Sequence, residues 1–147
     1  MRILTACDHG AYELKELLRH HLESRNHAVV NLGTDGPESV DYPDYAAKLC
    51  RALLAGEGER GILLCGTGIG ISIAANRFPG IRAALCHDEL TARLAREHND
   101  ANVLVLGGRT TGAATALGIL DVWLDTPFAG GRHQRRLDRL EQVTVRG

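Results

Sequence analysis

The fold is decided by one stretch of the sequence, Gly61-Ile-Leu-Leu-Cys-Gly-Thr-Gly-Ile-Gly-Ile-Ser-Ile-Ala-Ala-Asn76. Its first residues form a short apolar run, which is typical of a buried strand and ends at Cys65. A glycine-rich turn follows, and the residues after the turn have the pattern of a helix. We therefore predict a buried strand, a thiol at its carboxyl end, a tight turn and a helix.

The same alternation of apolar runs and helical patterns continues on both sides of this stretch. Strands are predicted at residues 3–7, 27–32, 61–64, 81–86 and 103–106, and residues 33–43 are predicted to be a loop. Helices are predicted at 12–24, 46–55, 69–78, 89–98, 112–124 and 132–142, with Thr111 as a cap and with Leu137 and Leu140 facing inward. This order predicts a three-layer α/β/α, Rossmann-like domain spanning residues 1–147, with a five-stranded parallel sheet and a C-terminal helix.

Composition and charge exclude several classes of protein. The chain has 147 residues, a formal net charge of −1 and an isoelectric point near 6.6. We therefore expect no nucleic-acid partner and no membrane partner, and aromatic residues, at 4%, are too few for stacking on exposed bases. There is no apolar run of membrane-spanning length and no signal-peptide pattern, so a cytoplasmic protein with free cysteines is expected.

Residues suited to chemistry follow the predicted strands. The strand ends carry, in order, Cys7-Asp8-His9-Gly10, Gly33, Cys65-Gly66-Thr67-Gly68, Cys86-His87-Asp88 and Gly107-Gly108-Arg109. In open α/β sheets, ligands bind beyond the carboxyl ends of the strands. The sequence therefore predicts a functional site at this edge of the sheet.

The glycine turn after Cys65 does not fit the familiar phosphate-binding motifs. A dinucleotide fingerprint needs a third glycine at position 71, which is Ile, and no Gly-Lys-Ser/Thr follows as in a P-loop. A thiol phosphatase loop would need an arginine at the same position 71. A glycine turn that serves only close packing remains an alternative.

Cys65 differs from the other three cysteines in its position. Cys7, Cys50 and Cys86 are interpreted as small buried apolar side chains. Backbone N–H groups of a turn that leads into a helix attract anions and favour the thiolate form of a nearby cysteine. Such a thiolate can act as a nucleophile or as a general base, and the residues alone do not distinguish the two roles.

Two polar dipeptides have both a structural and a functional interpretation. Asp8-His9 can be a helix cap with a surface histidine, and His98-Asn99 can cap the end of a helix. Both can also bind a substrate. The seven histidines show no metal-ligand spacing, so no metal is expected.

Arginines on the last helix suggest an anionic ligand. Arg132 and Arg136 are four residues apart and therefore lie on one helix face, which is most simply a solvated basic surface. Gly130-Gly131, however, would let the backbone approach a ligand closely. With Arg109, these arginines can hold a phosphate through charge-assisted hydrogen bonds. In the absence of a nucleic-acid signature, they indicate a small phosphorylated metabolite.

Taken together, these motifs resemble the type B ribose-5-phosphate isomerases, a family that also holds allose- and galactose-6-phosphate isomerases. The matching segments are residues 7–10 (Cys-Asp-His-Gly), 41–43 (Asp-Tyr-Pro), 65–76, 80–83 (Gly-Ile-Arg-Ala), 98–102 (His-Asn-Asp-Ala-Asn) and 130–134 (Gly-Gly-Arg-His-Gln). They extend from the first strand to the last helix, so the resemblance covers essentially the whole chain.

The resemblance implies a cofactor-free aldose–ketose isomerase that interconverts D-ribose 5-phosphate and D-ribulose 5-phosphate through a cis-enediolate. Cys65 would be the base that moves a proton between C2 and C1, and His98 would promote opening of the furanose ring. Some members carry a glutamate base slightly further along the glycine loop. Here Ile71 and Ser72 offer no carboxylate, so the chain resembles the cysteine type.

The resemblance also implies the rest of the site. The catalytic residues would be Cys65, His98 and Thr67, and the substrate-binding residues would be Asp8, His9, Tyr42, Gly66, Gly68, Ile69, Gly70, Asn99, Arg109, Arg132 and Arg136. In that set Asp8 and Asn99 would bind sugar hydroxyls near Tyr42. His9 and the three arginines would bind the phosphate, and the backbone N–H groups of residues 66–70 would hold the enediolate oxygens.

The family's site lies between two subunits, so a homodimer or a dimer of dimers is expected, with some site residues from the partner. Two other interpretations remain open. One is an isomerase for a six-carbon sugar phosphate such as allose 6-phosphate. The other is a non-catalytic module that binds sugar phosphates or nucleotides through the glycine loop.

Overall fold

The computed structural model describes residues 1–143 and contains five strands and six helices within them. The strands are β1 (Arg2–Cys7), β2 (Ala28–Asn31), β3 (Arg60–Cys65), β4 (Ala83–Leu85) and β5 (Val103–Gly107). The helices are α1 (Tyr12–Ser24), α2 (Tyr42–Leu54), α3 (Ile69–Ala75), α4 (Glu89–Asn99), α5 (Ala113–Asp125) and α6 (Arg132–Gln142). The predicted α/β fold is confirmed.

All five strands are parallel, in the order β2-β1-β3-β5-β4. The three central strands, β1, β3 and β5, are covered on both faces, which explains why their sequences are continuous apolar runs rather than alternating ones. In register, Cys7 lies opposite Leu64, and Cys65 lies opposite Gly107. The carboxyl ends of these strands therefore meet at one edge of the sheet.

Two apolar cores, one on each face of the sheet, make the three layers. On one face, α1, α4 and α5 pack around the fully buried Trp123. On the other face, α2 and α3 bury Leu49 and Ile71 against the sheet. The last helix, α6, packs against α4. Within residues 1–143, no helix is both long enough and apolar enough to cross a membrane.

The helix after the glycine turn is shorter than the sequence predicted. It ends at Ala75 rather than at residue 78, because Asn76 leaves the helix to pair with the next strand. The Asn76 side chain donates to the Ala83 carbonyl and accepts from the Ala83 N–H, both at 2.9 Å. Pro79 also disfavours helical backbone at Phe78. The strand that follows has only three residues, so the prediction of 81–86 was too long.

Three other local predictions were wrong. The second helix begins at Tyr42, inside the predicted loop, because Asp41 is an extended N-cap residue with Pro43 in the first turn. Thr111 is not the cap of α5, since the N-cap residue is Gly112 and Thr111 is buried in the preceding turn. Leu140 is 50% exposed, whereas Leu137 is buried, because α6 is covered along only one narrow side.

Candidate active site

Cys65 is the last residue of β3, and its thiol is enclosed by the turn that follows. The residue is only 5% exposed, and the backbone N–H of Gly68 donates to its Sγ over 3.2 Å. Gly68 has a φ of +78°, a conformation in which a side chain is strained. This glycine therefore makes the turn that aims an N–H group at the sulfur, and that N–H group favours negative charge there.

The ends of β1, β3 and β5 are joined through their backbones around this thiol. The N–H groups of Gly108 and Arg109 donate to the carbonyls of Cys65 and Gly66 at 2.9 and 2.8 Å. On the other side, the N–H of Asp8 donates to the Leu64 carbonyl at 3.2 Å. Three of the strand ends predicted to carry chemistry therefore form one rigid group.

Two side chains that follow β1 and β5 lie beside the turn. The guanidinium of Arg109 lies over Gly66, where an added Cβ would be 3.3 Å from Nη1. Asp8 is 7% exposed, and its Oδ1 accepts the N–H of Gly10 at 2.9 Å. Gly10 packs so closely on Gly66 that a Cβ there would come within 3.0 Å of the Gly66 nitrogen. A cation and a carboxylate therefore flank the glycine turn.

Thr67, Ile69, Gly70 and Tyr42 lie on the open side of the turn. The Thr67 hydroxyl accepts the N–H of Ile69 at 3.2 Å, and both residues are exposed. The ring of Tyr42, at the start of α2, covers Gly70, where a Cβ would be 2.6 Å from Cζ. The structure thus brings Tyr42, which the family resemblance assigns to substrate binding, to the glycine turn.

His9 is half-buried beside the same edge. It lines a cleft of about 540 Å³ together with Gly108 and Arg109, between the first turns of α1 and α5. Nine predicted residues therefore lie with Cys65 in one group at the carboxyl edge. We call this group the thiol cluster, and its members are Cys65, Asp8, His9, Tyr42, Gly66, Thr67, Gly68, Ile69, Gly70 and Arg109.

The other predicted residues lie at the opposite edge of the sheet. His98 and Asn99 end α4, which runs back from the carboxyl edge to the start of β5. Arg132 and Arg136, on α6, lie with them because α6 packs on α4. A strand of five or six residues is about 17–20 Å long, so one chain does not bring this group to Cys65. We call these four residues the histidine–arginine cluster.

His133 belongs with this second cluster, although no role was predicted for it from the sequence. Its ring stacks on that of His98, with the centroids 4.3 Å apart and the planes 14° from parallel. Desolvation by burial lowers the pKa of His133, and His98, Arg132 and Arg136 lower it further. A signal was present in the sequence, since His133 and Leu137 are four residues apart on the buried side of α6.

A buried arginine holds the end of α4 in place. Arg96 is 5% exposed and donates to Asp100 Oδ1 at 2.9 Å and to the Ala101 carbonyl at 2.7 Å. Arg82, immediately before β4, donates to the carbonyls of Asn99 and Asp100 at 3.0 and 3.1 Å. The turn that presents His98 and Asn99 is therefore fixed from two sides.

The other three thiols are unreactive because they are buried. Burial raises the pKa of Cys7 to about 12 and the pKa values of Cys50 and Cys86 to about 11. These cysteines are buried and free, as expected, and they stay protonated at neutral pH. Among residues 1–143, no three His, Cys, Asp or Glu side chains are grouped in a way that could hold a metal ion.

These features define an α/β protein whose candidate site lies beyond the carboxyl ends of parallel strands. The model of the ribose/galactose isomerase family matches residues 3–140. Ribose-5-phosphate isomerase B of Escherichia coli is 45% identical over 145 residues, which are 99% of this chain and 97% of the relative. The chain therefore belongs to the ribose/galactose isomerase family.

Solved structures agree with this assignment. Ribose-5-phosphate isomerase B from Clostridium thermocellum has a TM-score of 0.96 at 50% identity, with 97% of each chain covered. The enzyme from Thermotoga maritima has a TM-score of 0.94 at 54% identity, with 97% of this chain and 98% of that one covered. The protein is an isomerase with the fold of these enzymes.

Proposed function

We propose that this protein interconverts D-ribose 5-phosphate and D-ribulose 5-phosphate, without a cofactor, through a cis-enediolate. The observation that carries the proposal is the Cys65 thiol, which accepts the Gly68 N–H at 3.2 Å inside a turn of glycines. The names of the relatives support the choice of a five-carbon substrate.

Cys65 acts as the base in this proposal. Its thiolate takes the proton from C2 of the open-chain aldose. The electron pair of that C–H bond forms the C1–C2 double bond, and the π electrons of the C1 carbonyl move onto O1, which gives the enediolate. The proton then returns to C1 while the proton on O2 passes to O1, so that C2–O2 becomes the carbonyl group of the ketose. The raised pKa values of Cys7, Cys50 and Cys86 make these three thiols unsuitable as the base, because a protonated thiol cannot accept a proton.

The glycine turn stabilises the charge that develops during this transfer. The N–H groups of Gly68 and Ile69 donate to the Cys65 Sγ and to the Thr67 hydroxyl, so the other backbone N–H groups of residues 66–70 are the donors that act on the developing oxyanions. Removing one such donor typically costs about 3–4 kcal/mol of transition-state stabilisation. The turn therefore contributes about as much to the rate of the reaction as the base does.

A second subunit completes the site. Because the histidine–arginine cluster lies at the opposite edge of the sheet, two copies related by a two-fold axis can place it against the thiol cluster of the partner. His98 of the partner subunit would then open the furanose ring, and Asn99 would bind a sugar hydroxyl. The dimer contains two such sites.

The substrate phosphate binds where the two clusters meet. Arg109 and His9 come from one subunit, and Arg132 and Arg136 come from its partner. Arg132 and Arg136 are both exposed, and within residues 1–143 neither forms an ion pair, so their charge is available to a ligand. Guanidinium groups bind phosphate through two parallel hydrogen bonds.

The Cys65→Ala variant tests the proposal. General-base catalysis contributes roughly 10²–10⁴-fold, so we expect kcat to fall by about that factor while ribose 5-phosphate still binds. The measurement is isomerisation together with deuterium uptake at the sugar from deuterated water. Cys50→Ala, which removes a buried thiol from α2, is the matched control.

Two outcomes would contradict the proposal. Normal isomerisation by Cys65→Ala would remove Cys65 as the base. Binding of ribose 5-phosphate by the unaltered protein without any deuterium uptake would favour a non-catalytic binding module. A higher kcat/KM for allose 6-phosphate than for ribose 5-phosphate would assign the six-carbon substrate instead.

A further inference from the structure

The ring of His9 has a fixed hydrogen-bond partner on one side. The backbone N–H of Val40 donates to its Nδ1 over 3.1 Å. A backbone N–H can only donate, so Nδ1 must present its lone pair. In a neutral imidazole the proton is then on Nε2, which leaves Nε2–H free to donate to another group.

The position of Val40 depends on an irregular segment. Residues 33–41, which we call the 33–41 segment, connect β2 to α2 without helix or strand. Backbone hydrogen bonds tie its start to the sheet, where the Cys7 N–H donates to the Gly33 carbonyl at 2.7 Å and the Thr34 N–H donates to the Cys7 carbonyl at 2.8 Å. The path from Asp35 to Val40 therefore needs another anchor.

That anchor is Lys15, a lysine on the buried side of α1. Its side chain is 1% exposed, and Nζ donates to Asn31 Oδ1 at 2.5 Å and to Asp35 Oδ1 at 2.9 Å. Asn31 in turn donates to Asp35 Oδ1 at 2.7 Å and accepts the N–H of Gly33 at 2.9 Å. Three side chains thus bind the segment to both β2 and α1.

Because the Lys15 ammonium is buried, the folded chain requires its hydrogen bonds to Asn31 and Asp35. An ammonium group removed from water is strongly unfavourable unless charges and acceptors surround it. Lys15 has no alternative acceptors of comparable geometry in residues 1–143, since its other carboxylate neighbour, Glu16, is 3.8 Å away. The folded chain therefore keeps Asn31 and Asp35 at the ammonium, and the 33–41 segment follows them.

We propose that Lys15 is a positioning residue: through Asn31 and Asp35 it holds the 33–41 segment so that Val40 N–H fixes His9 as an Nε2–H donor to the substrate phosphate. The role at the phosphate rests on the proposed function, whereas the tautomer of His9 does not. A donor of this kind needs no protonation of the ring, and it complements the charge of Arg109 in the same cleft.

The tautomer is tested first, in the protein without substrate. Two-bond ¹H–¹⁵N correlation spectra separate a ring nitrogen that carries a proton from one that does not, and the His9→Asn variant identifies the His9 signals. We expect the Nδ1 of His9 to be unprotonated and its Nε2 to be protonated. The opposite tautomer, or rapid exchange between the two, would overturn the proposal.

The anchor is tested with Lys15→Met, which keeps the length of the apolar stem and removes the ammonium. We expect the His9 signals to shift towards a mixture of tautomers and KM for ribose 5-phosphate to rise about five- to tenfold, with kcat changed by less than about twofold. Lys48→Met, at the chain's other lysine, is the matched control because Lys48 is exposed. Unchanged His9 signals and an unchanged KM in Lys15→Met would contradict the proposal.

A second variant covers the case in which Lys15→Met does not fold. Val40→Pro deletes the N–H donor and leaves the Lys15 network in place, whereas Val40→Ala keeps the donor. Only Val40→Pro should mix the tautomers and raise KM, and equal behaviour of the two variants would overturn the proposal. If the unaltered protein fixes the tautomer but does not isomerise ribose 5-phosphate, the proposed function fails and the phosphate role fails with it, while Lys15 remains the anchor of His9.

Discussion

The hydrogen bond to the Cys65 sulfur depends on a residue without a side chain, Gly68. At Gly68, an added Cβ would lie 2.5 Å from the Leu85 side chain and 3.1 Å from the Leu106 backbone, and the φ of +78° would strain it further. The contact with Leu106 involves the backbone of the central sheet, so rotating a side chain cannot relieve it. Gly68 therefore fixes the N–H that reaches the sulfur.

Gly68→Ala should be destabilising and should damage activity. We expect a loss of about 2–4 kcal/mol in the free energy of unfolding, from left-handed strain and overpacking, and a kcat at least about tenfold lower because the N–H moves away from Sγ. Urea denaturation and isomerase assays measure the two effects. Gly56→Ala is the control, since Gly56 has a similar φ of +80° but no atom within 4 Å of the added Cβ. Equal losses in both variants would show that strain alone matters at Gly68.

At the level of single residues, the functional candidates at the strand ends could be predicted from the sequence. The roles of polar residues on the buried sides of helices could not. Asp8 and Cys65 follow apolar runs, so their place at one edge could be predicted from the topology rule for parallel sheets. Lys15 and His133 occupy apolar helix positions, and their roles depend on partners distant in sequence. No local pattern reveals such partners.

The contact between α4 and α6 includes His133, a side chain whose protonation affects the stability of the protein. Stacked on His98 and close to Arg132, His133 is a poor place for a positive charge, and desolvation is the largest cause of its lowered pKa. The unfolded chain has an ordinary histidine pKa of about 6.5. The folded state therefore loses stability as pH falls below that value, where the unfolded chain binds a proton that the folded protein does not.

His133→Phe should remove this pH dependence while keeping a flat ring against His98. Between pH 7.5 and pH 5.5 we expect the unaltered protein to lose more of its free energy of unfolding than the variant loses. Urea titrations at several pH values measure the difference. His27, whose pKa is also lowered, is present in both proteins and cancels in the comparison. Parallel losses in the two proteins would exclude His133 as the source.

At the level of elements, hydrophobic patterning gave the number, type and order of strands and helices but not all of their ends. Asn76 ends α3 by a side-chain pairing with Ala83, an interaction between residues that the sequence assigned to different elements. Leu140 fits the helical stripe of α6 but is exposed, because the width of the covered surface depends on how α6 packs on α4. Where an element ends and how much of its surface is covered therefore depend on tertiary contacts rather than on the local sequence.

Over the whole molecule, the two clusters lie at opposite edges of the sheet. The thiol cluster follows β1, β3 and β5, whereas the histidine–arginine cluster lies where α4 ends and α6 begins. The sequence predicted the members of both groups through a family resemblance, but their separation follows only from the direction in which α4 runs. The separation is what makes a second subunit necessary in the proposed mechanism.

Mixed dimers test this arrangement. Cys65→Ala and the double variant Arg132→Ala/Arg136→Ala should each be nearly inactive alone, yet a hybrid of the two has one intact site and one doubly defective site. Co-expression with random pairing makes about half of the dimers hybrid and should restore about a quarter of normal activity. Purified variants mixed without subunit exchange are the control. No recovery in the co-expressed sample would place the whole site within one chain.

The placement of the two clusters has a consequence for the newly made protein. In the proposed arrangement, each chain carries Cys65, His9 and Arg109 at one end of the sheet and His98, Arg132 and Arg136 at the other, so a single chain holds two halves of different sites and no whole one. Under the proposed arrangement, catalysis begins only when two copies meet, so the number of working sites rises with the square of the chain concentration while the protein is scarce. Assembly itself is then the step that switches the enzyme on.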